Sequence, residues 1–340
     1  MRQAYSFDDV RLQPKYSNLE SRTQVDLTSD LGDRASLSLP VISSPMDTVT
    51  ESAMALAMDK HGAMGIIHRY DSVGHQADMV REVYYTGAKN IAAAVGMTGD
   101  YMDRSRELVK SGANVLCIDV AHGHHSMMRA AIKNLKDIFE DSVHIMAGNV
   151  ATLEAFEDLA SWGADSIRVG IGGGSICSTR LVTGHGIPTL QSIFECAKTS
   201  YDVKIIADGG IKTTGDMVKA YAAGADFVMI GSMLAGTSET PGEVFFGKEG
   251  KKYKVYRGMA SSGAQNAWRG KSSTPEGVST TVPFRGSVDL VLQNIAGGLR
   301  SGLSYSGARS LEELRGKASF LLQTGAGQVE SNTHILWRDK

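Results

Sequence analysis

The chain has 340 residues, of which 42% are apolar and 21% charged, as in a globular protein with one large hydrophobic core or two modest ones. Its formal net charge of −2 gives no general attraction for nucleic acid or an anionic membrane. Three cysteines do not form a disulfide framework, and no apolar leader or bilayer-spanning apolar run is present in the sequence. We therefore expect a cytoplasmic protein that binds neither nucleic acid nor membranes.

Apolar, β-rich runs alternate with helical runs from residue 39 onward. Residues 1–38 are predicted to be an irregular lead-in. Strands are predicted at 39–44, 65–68, 91–95, 114–119, 143–147, 166–169, 204–207 and 227–230. Helices are predicted between them at 50–60, 71–85, 101–110, 126–139 and 153–162.

Glycine ends several of the predicted helices. Gly62, Gly112, Gly163 and Gly224 each stand between a helical run and an alanine that leads to the next strand. Glycine takes the left-handed conformation at a helix end at little cost, and the chain then turns into the sheet. Eight such alternations, of roughly 25–30 residues each, predict a (β/α)8 TIM barrel of the α/β class. A doubly wound open sheet is the alternative, but it more often carries its phosphate loop after the first strand.

Polar or glycine-rich residues follow nearly every predicted strand. In a TIM barrel, the loops after the strands form the active site. Any one of these loops could contain only turn or cap residues, but their recurrence after seven strands predicts a single site. The Gly-Gly and Gly-Ser pairs after the last two strands stand where barrels commonly bind phosphate. The loops are 44–47, 68–70, 119–122, 148–149, 170–180, 208–210 and 231–232.

The loop after the sixth predicted strand, residues 170–180, reads GIGGGSICSTR and is called the cysteine loop below. Four glycines in five positions let its backbone approach a ligand closely, and exposed N–H groups suit a phosphate. Cys177 follows these glycines, which favours a nucleophilic thiol beside a phosphate site. The alternative is a small apolar cysteine in the core. That alternative fits Cys117, in the apolar run 115–118, better.

The residues after the eighth strand are predicted to cover the barrel. Residues 243–256 resemble a charged hairpin with a turn at 247–250, and the polar stretch up to 277 is typical of a lid or a disordered segment. A closing helix and a last helix precede a polar tail. The chain is thus predicted to form one catalytic domain, 1–340, with a lead-in (1–38), a barrel core (39–242), a hairpin and mobile flap (243–286), and closing helices at 287–300 and near 310–315 with the tail (287–340).

Eight motifs together resemble the IMP dehydrogenase/GMP reductase family over essentially the whole chain. The Asp-Gly-Gly and Gly-Ser pieces are shared with flavin-binding barrels, whereas the cysteine loop together with YRGM at 256–259 is much more specific. One departure is Gly173, where the family usually has proline. The other matching segments are FDDV at 7–10, SPMDTVTE at 44–51, DVAHGH at 119–124, AGNV at 147–150, ADGGI at 207–211 and GGLRSG at 297–302.

The resemblance implies chemistry at C2 of a 6-oxopurine ribonucleotide. The thiolate of Cys177 attacks C2, where a nicotinamide cofactor delivers or removes a hydride, and Thr179 and Glu276 correspond to a proton-transfer pair. Asp208 holds the ribose hydroxyls, and Met259 lies along the base edge. The other substrate-binding residues implied by the family pattern are Ser44, Met46, Gly174, Ser175, Gly210, Gly231, Ser232, Tyr256 and Gly258.

The resemblance also implies a cofactor site and a cation site. A monovalent cation such as K⁺ is expected at backbone carbonyls of the cysteine loop, with help from the C-terminal segment of a neighbouring subunit in a homotetramer. Residues 325–330, GAGQVE, resemble that segment. The cofactor-binding residues are Asp119, Ala121, Asn149 and Gly170, and the cation-binding carbonyls are those of Gly172, Gly174 and Cys177.

Two reactions share this pattern, and both pass through a covalent thioimidate on Cys177. The dehydrogenase oxidises IMP to XMP with NAD and hydrolyses the thioimidate with an Arg-Tyr pair on a flap. The reductase converts GMP to IMP and ammonia with NADPH and uses the Thr-Glu pair, although many bacterial dehydrogenases carry that pair too. Here the flap, residues 260–274, contains no Arg-Tyr, and its only candidate bases are Arg269 and Lys271. Arginine is a poor base at neutral pH.

Other segments point the opposite way. The GGLRSG segment and the QVE at 328–330 are more similar to dehydrogenases, whereas the regulatory tandem domain that most dehydrogenases insert is missing. Because water activation needs the Arg-Tyr pair, we predict a GMP reductase, with an IMP dehydrogenase as the alternative. A catalytically silent nucleotide-sensing barrel is a third hypothesis, but loss of Cys177 or Thr179 would be its signature and both are present.

Overall fold

The computed structural model describes residues 2–32, 35–271, 273–331 and 333, except for the side chains of Lys248 and Arg269. Eight parallel strands form a closed barrel, in which each strand pairs with the next one along the chain and the last pairs with the first. The predicted TIM barrel is therefore confirmed. The strands are β1 (Val41–Ser43), β2 (Met64–Ile67), β3 (Ala92–Val95), β4 (Val115–Asp119), β5 (His144–Val150), β6 (Ser166–Val169), β7 (Lys204–Asp208) and β8 (Phe227–Ile230).

Helices connect the barrel strands. Those predicted at 101–110, 126–139 and 153–162 have the predicted bounds, whereas the first two begin two residues later than predicted. The second begins at Val73 because the Ser72 side chain accepts the amide of His75 and caps the helix. Helices α6 and α7 were not predicted, and α8 was predicted only by its end at Gly224, without bounds. The helices are α1 (Ser52–Lys60), α2 (Val73–Tyr85), α3 (Tyr101–Lys110), α4 (Ser126–Phe139), α5 (Leu153–Trp162), α6 (Thr179–Thr183), α7 (Thr189–Cys196) and α8 (Thr214–Ala222).

The four glycines at predicted helix ends all have positive φ. The values are 70° at Gly62, 113° at Gly112, 109° at Gly163 and 120° at Gly224. A side chain is strained in this conformation, so glycine is the residue that turns each helix into the next strand. This repeated local signal is why the barrel could be recognised from the sequence.

Alternation along the strands divides the core into two layers. On β4, Val115 and Cys117 belong to the cluster that fills the barrel interior, while Leu116 and Ile118 belong to the larger cluster shared with the helices. The interior cluster also includes fully buried Leu31 from the N-terminal lead-in.

The lead-in is not wholly irregular. Two short strands, Ser29–Asp30 and Ser36–Leu37, pair with each other, and Val10–Leu12 pairs with Phe320–Leu322 near the other end of the chain. The second pairing joins segments that are far apart in sequence, so local patterns do not reveal it.

The predicted hairpin after the barrel is present and has a third strand. Strand β9 (Phe245–Phe246) pairs antiparallel with β10 (Lys252–Arg257), which also pairs with β11 (Ser279–Pro283). Between β10 and β11, the stretch expected to be a lid or disordered contains helix α9 (Ser262–Arg269). Ser261 caps this helix by accepting the amide of Ala264.

The closing helix is longer than predicted. Helix α10 (Val288–Tyr305) passes without a break through the glycines of the GGLRSG segment. A Cβ on Gly298 would lie 2.6 Å from the Thr214 hydroxyl, and one on Gly302 would lie 2.5 Å from Val218. These glycines therefore let α10 approach α8 closely and do not interrupt the helix.

The tail also contains regular structure. After α10 come α11 (Leu311–Lys317), the strand Phe320–Leu322 and α12 (Gly325–Glu330), while the rest of the predicted polar tail, from residue 334, lies outside the described residues. Within the part of the chain that the structure describes, no helix is both long and apolar enough to cross a membrane.

Candidate active site

A cavity of about 860 Å³ opens among the loops that follow the barrel strands. Every residue that the sequence analysis assigned to substrate, cofactor, cation or catalysis lines it, so the structure brings the whole predicted set together. The role of each of these residues remains a prediction. The set comprises Ser44, Met46, Asp119, Ala121, Asn149, Gly170, Gly172, Gly174, Ser175, Cys177, Thr179, Asp208, Gly210, Gly231, Ser232, Tyr256, Gly258, Met259 and Glu276.

Cys177 is the accessible cysteine of the three. Its thiol contacts the Thr179 hydroxyl, with Sγ and Oγ1 3.2 Å apart, and its amide donates to the Gly174 carbonyl at 3.1 Å. Cys117 and Cys196 are buried, and burial raises the pKa of Cys117 to about 11 and that of Cys196 to about 12. Because the thiolate is the reactive form, these two thiols are inert at neutral pH.

The cysteine loop packs backbone against backbone on the turn 208–210, called the aspartate turn below. Gly170 has a φ of 147°, and a Cβ there would lie 1.9 Å from the Asp208 carbonyl oxygen. A Cβ on Gly209 would lie 3.1 Å from the backbone of Gly173 and of Gly174. Only glycines allow this approach, which brings the cysteine loop beside the aspartate turn.

Residues from two other segments, the loop after β1 and strand β10, converge on Gly231. A Cβ at this glycine would lie 3.2 Å from the Tyr256 hydroxyl, 3.3 Å from the Met46 sulfur and 3.4 Å from the Ser44 hydroxyl. Burial raises the pKa of Tyr256, and a hydrogen bond with Ser175 opposes this shift. The phenol is therefore neutral at physiological pH and available as a hydrogen-bond donor, as a phosphate site requires.

The cysteine loop is also bound to the segment that follows the flap. The Ser178 amide donates to the Glu276 carbonyl at 3.0 Å, and the Val278 amide donates to the Ile176 carbonyl at 3.0 Å. The backbone next to Glu276 is thus fixed relative to Cys177, and the Glu276 side chain lines the same cavity.

Arg168 lies at the floor of the site and was missed from the sequence. It is 5% exposed, and its guanidinium binds the Asp119 carboxylate at 2.6 Å and the Asp208 carboxylate at 2.9 Å. Burial acts to lower the pKa of Arg168, but nearby Cys117, Asp208 and Asp119 raise it overall, well above its ordinary value. The signal was available, because Ile167 and Val169 pack outward and place Arg168 on the inner face of β6.

A second group that the sequence analysis missed lies around Asp119. The Arg69 guanidinium donates to the Asp119 carbonyl at 3.1 Å, and the Tyr70 hydroxyl donates to its carboxylate at 3.4 Å. Trp268 of the flap helix packs edge-on against Tyr70, with ring centroids 5.2 Å apart, and lies 5.3 Å from the Arg69 guanidinium carbon. These three side chains, called the aromatic stack below, join the barrel to the flap.

Tyr70 is not a base at neutral pH, because burial and the Asp119 carboxylate raise its pKa further. Of the two candidate bases in the flap, Arg269 has a side chain outside the described part of the structure, and Lys271 does not line the cavity. In the described ranges, no group of three or more His, Cys, Asp or Glu side chains is placed to hold a metal ion.

Comparison with known proteins identifies the class. A model of the IMP dehydrogenase / GMP reductase domain matches residues 4–334. The chain is 34% identical to the inosine-5'-monophosphate dehydrogenase of Nitrosopumilus maritimus, over 98% of each protein, and 32% identical to the GMP reductase of Leishmania major, over 97% of this chain and 96% of that protein. A solved GMP reductase from Trypanosoma brucei, a cysteine-to-alanine variant in complex with guanosine 5'-monophosphate, has a TM-score of 0.92 at 32% identity and covers 98% of each chain.

The closed barrel, the cysteine loop at its mouth and these relatives thus define a TIM-barrel oxidoreductase. The chain belongs to the IMP dehydrogenase/GMP reductase family. Its identity to the two kinds of member is nearly equal, so the reaction has to be argued from the site.

Proposed function

We propose that this protein is an NADPH-dependent GMP reductase that forms IMP and ammonia. The substrate is held by its phosphate near Gly231 and Tyr256, by its ribose at Asp208 and by its base beside Met259. Met259 is itself held, because the Asp47 amide donates to its sulfur at 3.5 Å.

In the proposed reaction, the Cys177 thiolate attacks C2 of GMP and forms a carbon–sulfur bond. The 2-amino group leaves as ammonia after it receives a proton from Glu276 through Thr179, and a thioimidate remains. A hydride, which the bound nicotinamide cofactor supplies, then adds to C2. The carbon–sulfur bond breaks, IMP is released and Cys177 is again a thiolate. The Sγ–Oγ1 distance of 3.2 Å between Cys177 and Thr179 supports the last step of this route, because it places the Thr179 hydroxyl beside the thiol that attacks C2.

The observation that carries the proposal is that no described side chain of the flap offers a base to the cavity, because the flap residues that line it are Ala260, Gln265, Trp268, Ser273 and Thr274. Hydrolysis of the thioimidate needs a base within hydrogen-bond reach of a water molecule. Helix α9 instead brings the indole of Trp268 to the cavity, where it packs on Arg69 and Tyr70. An indole ring excludes water and accepts no proton, so it favours the reaction that uses no water.

The residues expected to face the cofactor fit a nicotinamide. The Asn149 side chain donates to the Gly170 carbonyl at 2.9 Å and to Asp208 at 2.7 Å. Its Oδ1 atom is buried and has no hydrogen-bond partner among the described residues. Asn149 lines the cavity together with Asp119, Ala121 and Gly170, and an unpaired amide oxygen beneath this lining would be satisfied by a small shift toward the N–H donor of a carboxamide.

Two observations favour an IMP dehydrogenase as the second candidate. The 34% identity to the Nitrosopumilus maritimus dehydrogenase slightly exceeds the 32% identity to the Leishmania major reductase. In addition, an Arg-Tyr pair does line the cavity, although Arg69 and Tyr70 belong to the loop after β2 and not to the flap. In that case NAD replaces NADPH.

The deciding experiment measures both reactions with the purified protein. GMP with NADPH should release ammonia and IMP in equal amounts, while IMP with NAD should give at most slow, incomplete turnover. Cys196→Ala, which removes a buried thiol outside the cavity, should behave as the unaltered enzyme in both assays. Sustained XMP formation without ammonia release from GMP would establish the dehydrogenase instead.

Further properties belong to the same proposal. The proposed reductase binds a K⁺ ion at the carbonyls of Gly172, Gly174 and Cys177. It consists of a single catalytic domain, forms a homotetramer and lies in the cytoplasm. Of these carbonyls, that of Gly174 already accepts the Cys177 amide at 3.1 Å. Activity measured in K⁺ and in Li⁺ at equal ionic strength tests the cation.

A further inference from the structure

Thr189 has a buried hydroxyl that the proposed mechanism does not use. The residue is the first of α7 and is 3% exposed. Its Oγ1 atom has no hydrogen-bond partner among the described residues. An unpaired buried hydroxyl costs stability, so a residue of this kind requires an explanation.

The surroundings of this hydroxyl supply the explanation. A Cβ on Gly173 would lie 2.5 Å from Thr189 Oγ1, one on Gly170 3.4 Å from it, and one on Gly210 3.7 Å from it. The oxygen therefore lies where the cysteine loop and the aspartate turn meet, in contact with α-carbons that carry no side chain. At Gly173 there is no room for a side chain while Thr189 is in place.

We propose that Thr189 is a positioning residue that sets the place of the cysteine loop, and hence of Cys177, by filling the space beneath Gly173. The glycine at 173 and the threonine at 189 then form a matched pair, since a larger residue at 173 needs a smaller one at 189. This inference rests on the proposed role of Cys177 as the nucleophile. It concerns how the thiol is held and is independent of the direction of the reaction.

The chain offers a matched control on the same helix. Ser192 is also fully buried, and its Oγ atom also has no partner among the described residues. None of the glycines of the cysteine loop has Ser192 among its near neighbours. Thr189→Ala and Ser192→Ala therefore both remove a buried, unpaired hydroxyl from α7, the first together with a methyl group, but only the first leaves a space under the loop.

The first measurement is the rate of alkylation of Cys177 by iodoacetamide across pH 6–9. Cys117 and Cys196 are buried and serve as silent internal references in the mass spectrum. We expect Thr189→Ala to change the alkylation rate and the KM for GMP by roughly 5-fold or more, whereas Ser192→Ala leaves both unchanged. Thr189→Ser, which keeps the oxygen, should restore the original values. Melting temperatures verify that each variant is folded.

The second measurement is a double-mutant cycle. Gly173→Ala alone should displace the loop and slow both alkylation and turnover, while the addition of Thr189→Ala should recover most of the loss. If Gly173→Ala does not fold, the comparison of Thr189→Ala with Thr189→Ser and Ser192→Ala still tests whether Thr189 positions the cysteine loop.

Equal behaviour of Thr189→Ala and Ser192→Ala would overturn the inference, as would a cycle without recovery. Other experiments test the proposed function: full turnover by Cys177→Ala, or XMP formation from IMP, would refute it. Neither result would affect the comparison of alkylation rates.

Discussion

The two halves of the cavity are built by different means. On the nucleotide half, the cysteine loop and the aspartate turn meet through backbone atoms, and glycines such as Gly170 and Gly209 make the contact possible. On the flap half, side chains make the contact, because Trp268 packs on Tyr70 and Arg69. Backbone contacts leave almost no freedom to substitute, whereas a stack of side chains can be altered without disturbing the barrel. We expect the nucleotide half to bind the substrate and form the covalent bond, and the flap half to exclude water and contact the cofactor.

Loss of the Cys177 thiol is the most severe test of the nucleotide half. Cys177→Ala should reduce turnover by roughly 10³-fold or more, because the covalent step has no other nucleophile. GMP should still bind, since the phosphate contacts proposed around Gly231 and Tyr256 do not involve the thiol. Calorimetric titration with GMP, alongside the ammonia assay, measures the two effects. Turnover at the original rate would refute the covalent mechanism.

Asp208→Ala tests the ribose site on the same half. The carboxylate accepts from Arg168 at 2.9 Å and from Asn149 at 2.7 Å, and it is expected to accept from the ribose hydroxyls as well. Its removal should weaken GMP binding by about 1–3 kcal/mol and lessen the discrimination against 2′-deoxy-GMP.

Asp208→Asn is the matched control, because it keeps one acceptor oxygen and should lose less affinity. If Asp208→Ala lowers the melting temperature but leaves the ribose preference unchanged, the carboxylate is only a structural partner of Arg168.

The aromatic stack is expected to have a smaller effect. Trp268→Ala removes one aromatic and one cation–π contact and should raise the KM for NADPH by roughly 5–10-fold, with GMP affinity unchanged. Tyr85→Ala, an exposed aromatic at the end of α2, is the control and should have no effect. A loss of GMP affinity in Trp268→Ala would show that the two halves are not separable.

The stability of the barrel beneath both halves should depend on pH through a group that has no effect on catalysis. His144 begins β5, and burial lowers its pKa from 6.5 to about 4. Because the unfolded chain binds the proton first, the contribution of His144 to the free energy of unfolding should be fully present well above pH 6.5 and should be lost, by up to about 3 kcal/mol, as the pH falls through 6.5 to about 4. Urea unfolding of the protein and of His144→Gln measures this, and an equal pH dependence in both would exclude His144 as the cause.

The barrel could be predicted from the sequence because its signals are local. Glycines such as Gly62 and Gly112 end helices by a conformation that depends on neighbouring residues alone. The same holds for α4 and α5, whose bounds were predicted to the residue. The third strand of the hairpin, β11, was missed because it pairs with β10 across the whole flap. The end of α10 was predicted five residues early, and the reason for its glycines, close approach to α8, lies on another helix.

The sequence by itself determined the fold class and which loops meet at the cavity, since residues after successive parallel strands necessarily lie at one end of a barrel. The family resemblance added individual residues such as Tyr256 and Glu276, whereas Arg168 was missed. Only the tertiary structure decided which of them touch. The bridge from Arg168 to Asp119 and Asp208, and the packing of Trp268 on Tyr70, join residues at least 40 positions apart. The space under Gly173 is likewise set by a side chain on another element. Such contacts depend on how strands and helices pack in three dimensions, and no local pattern encodes them.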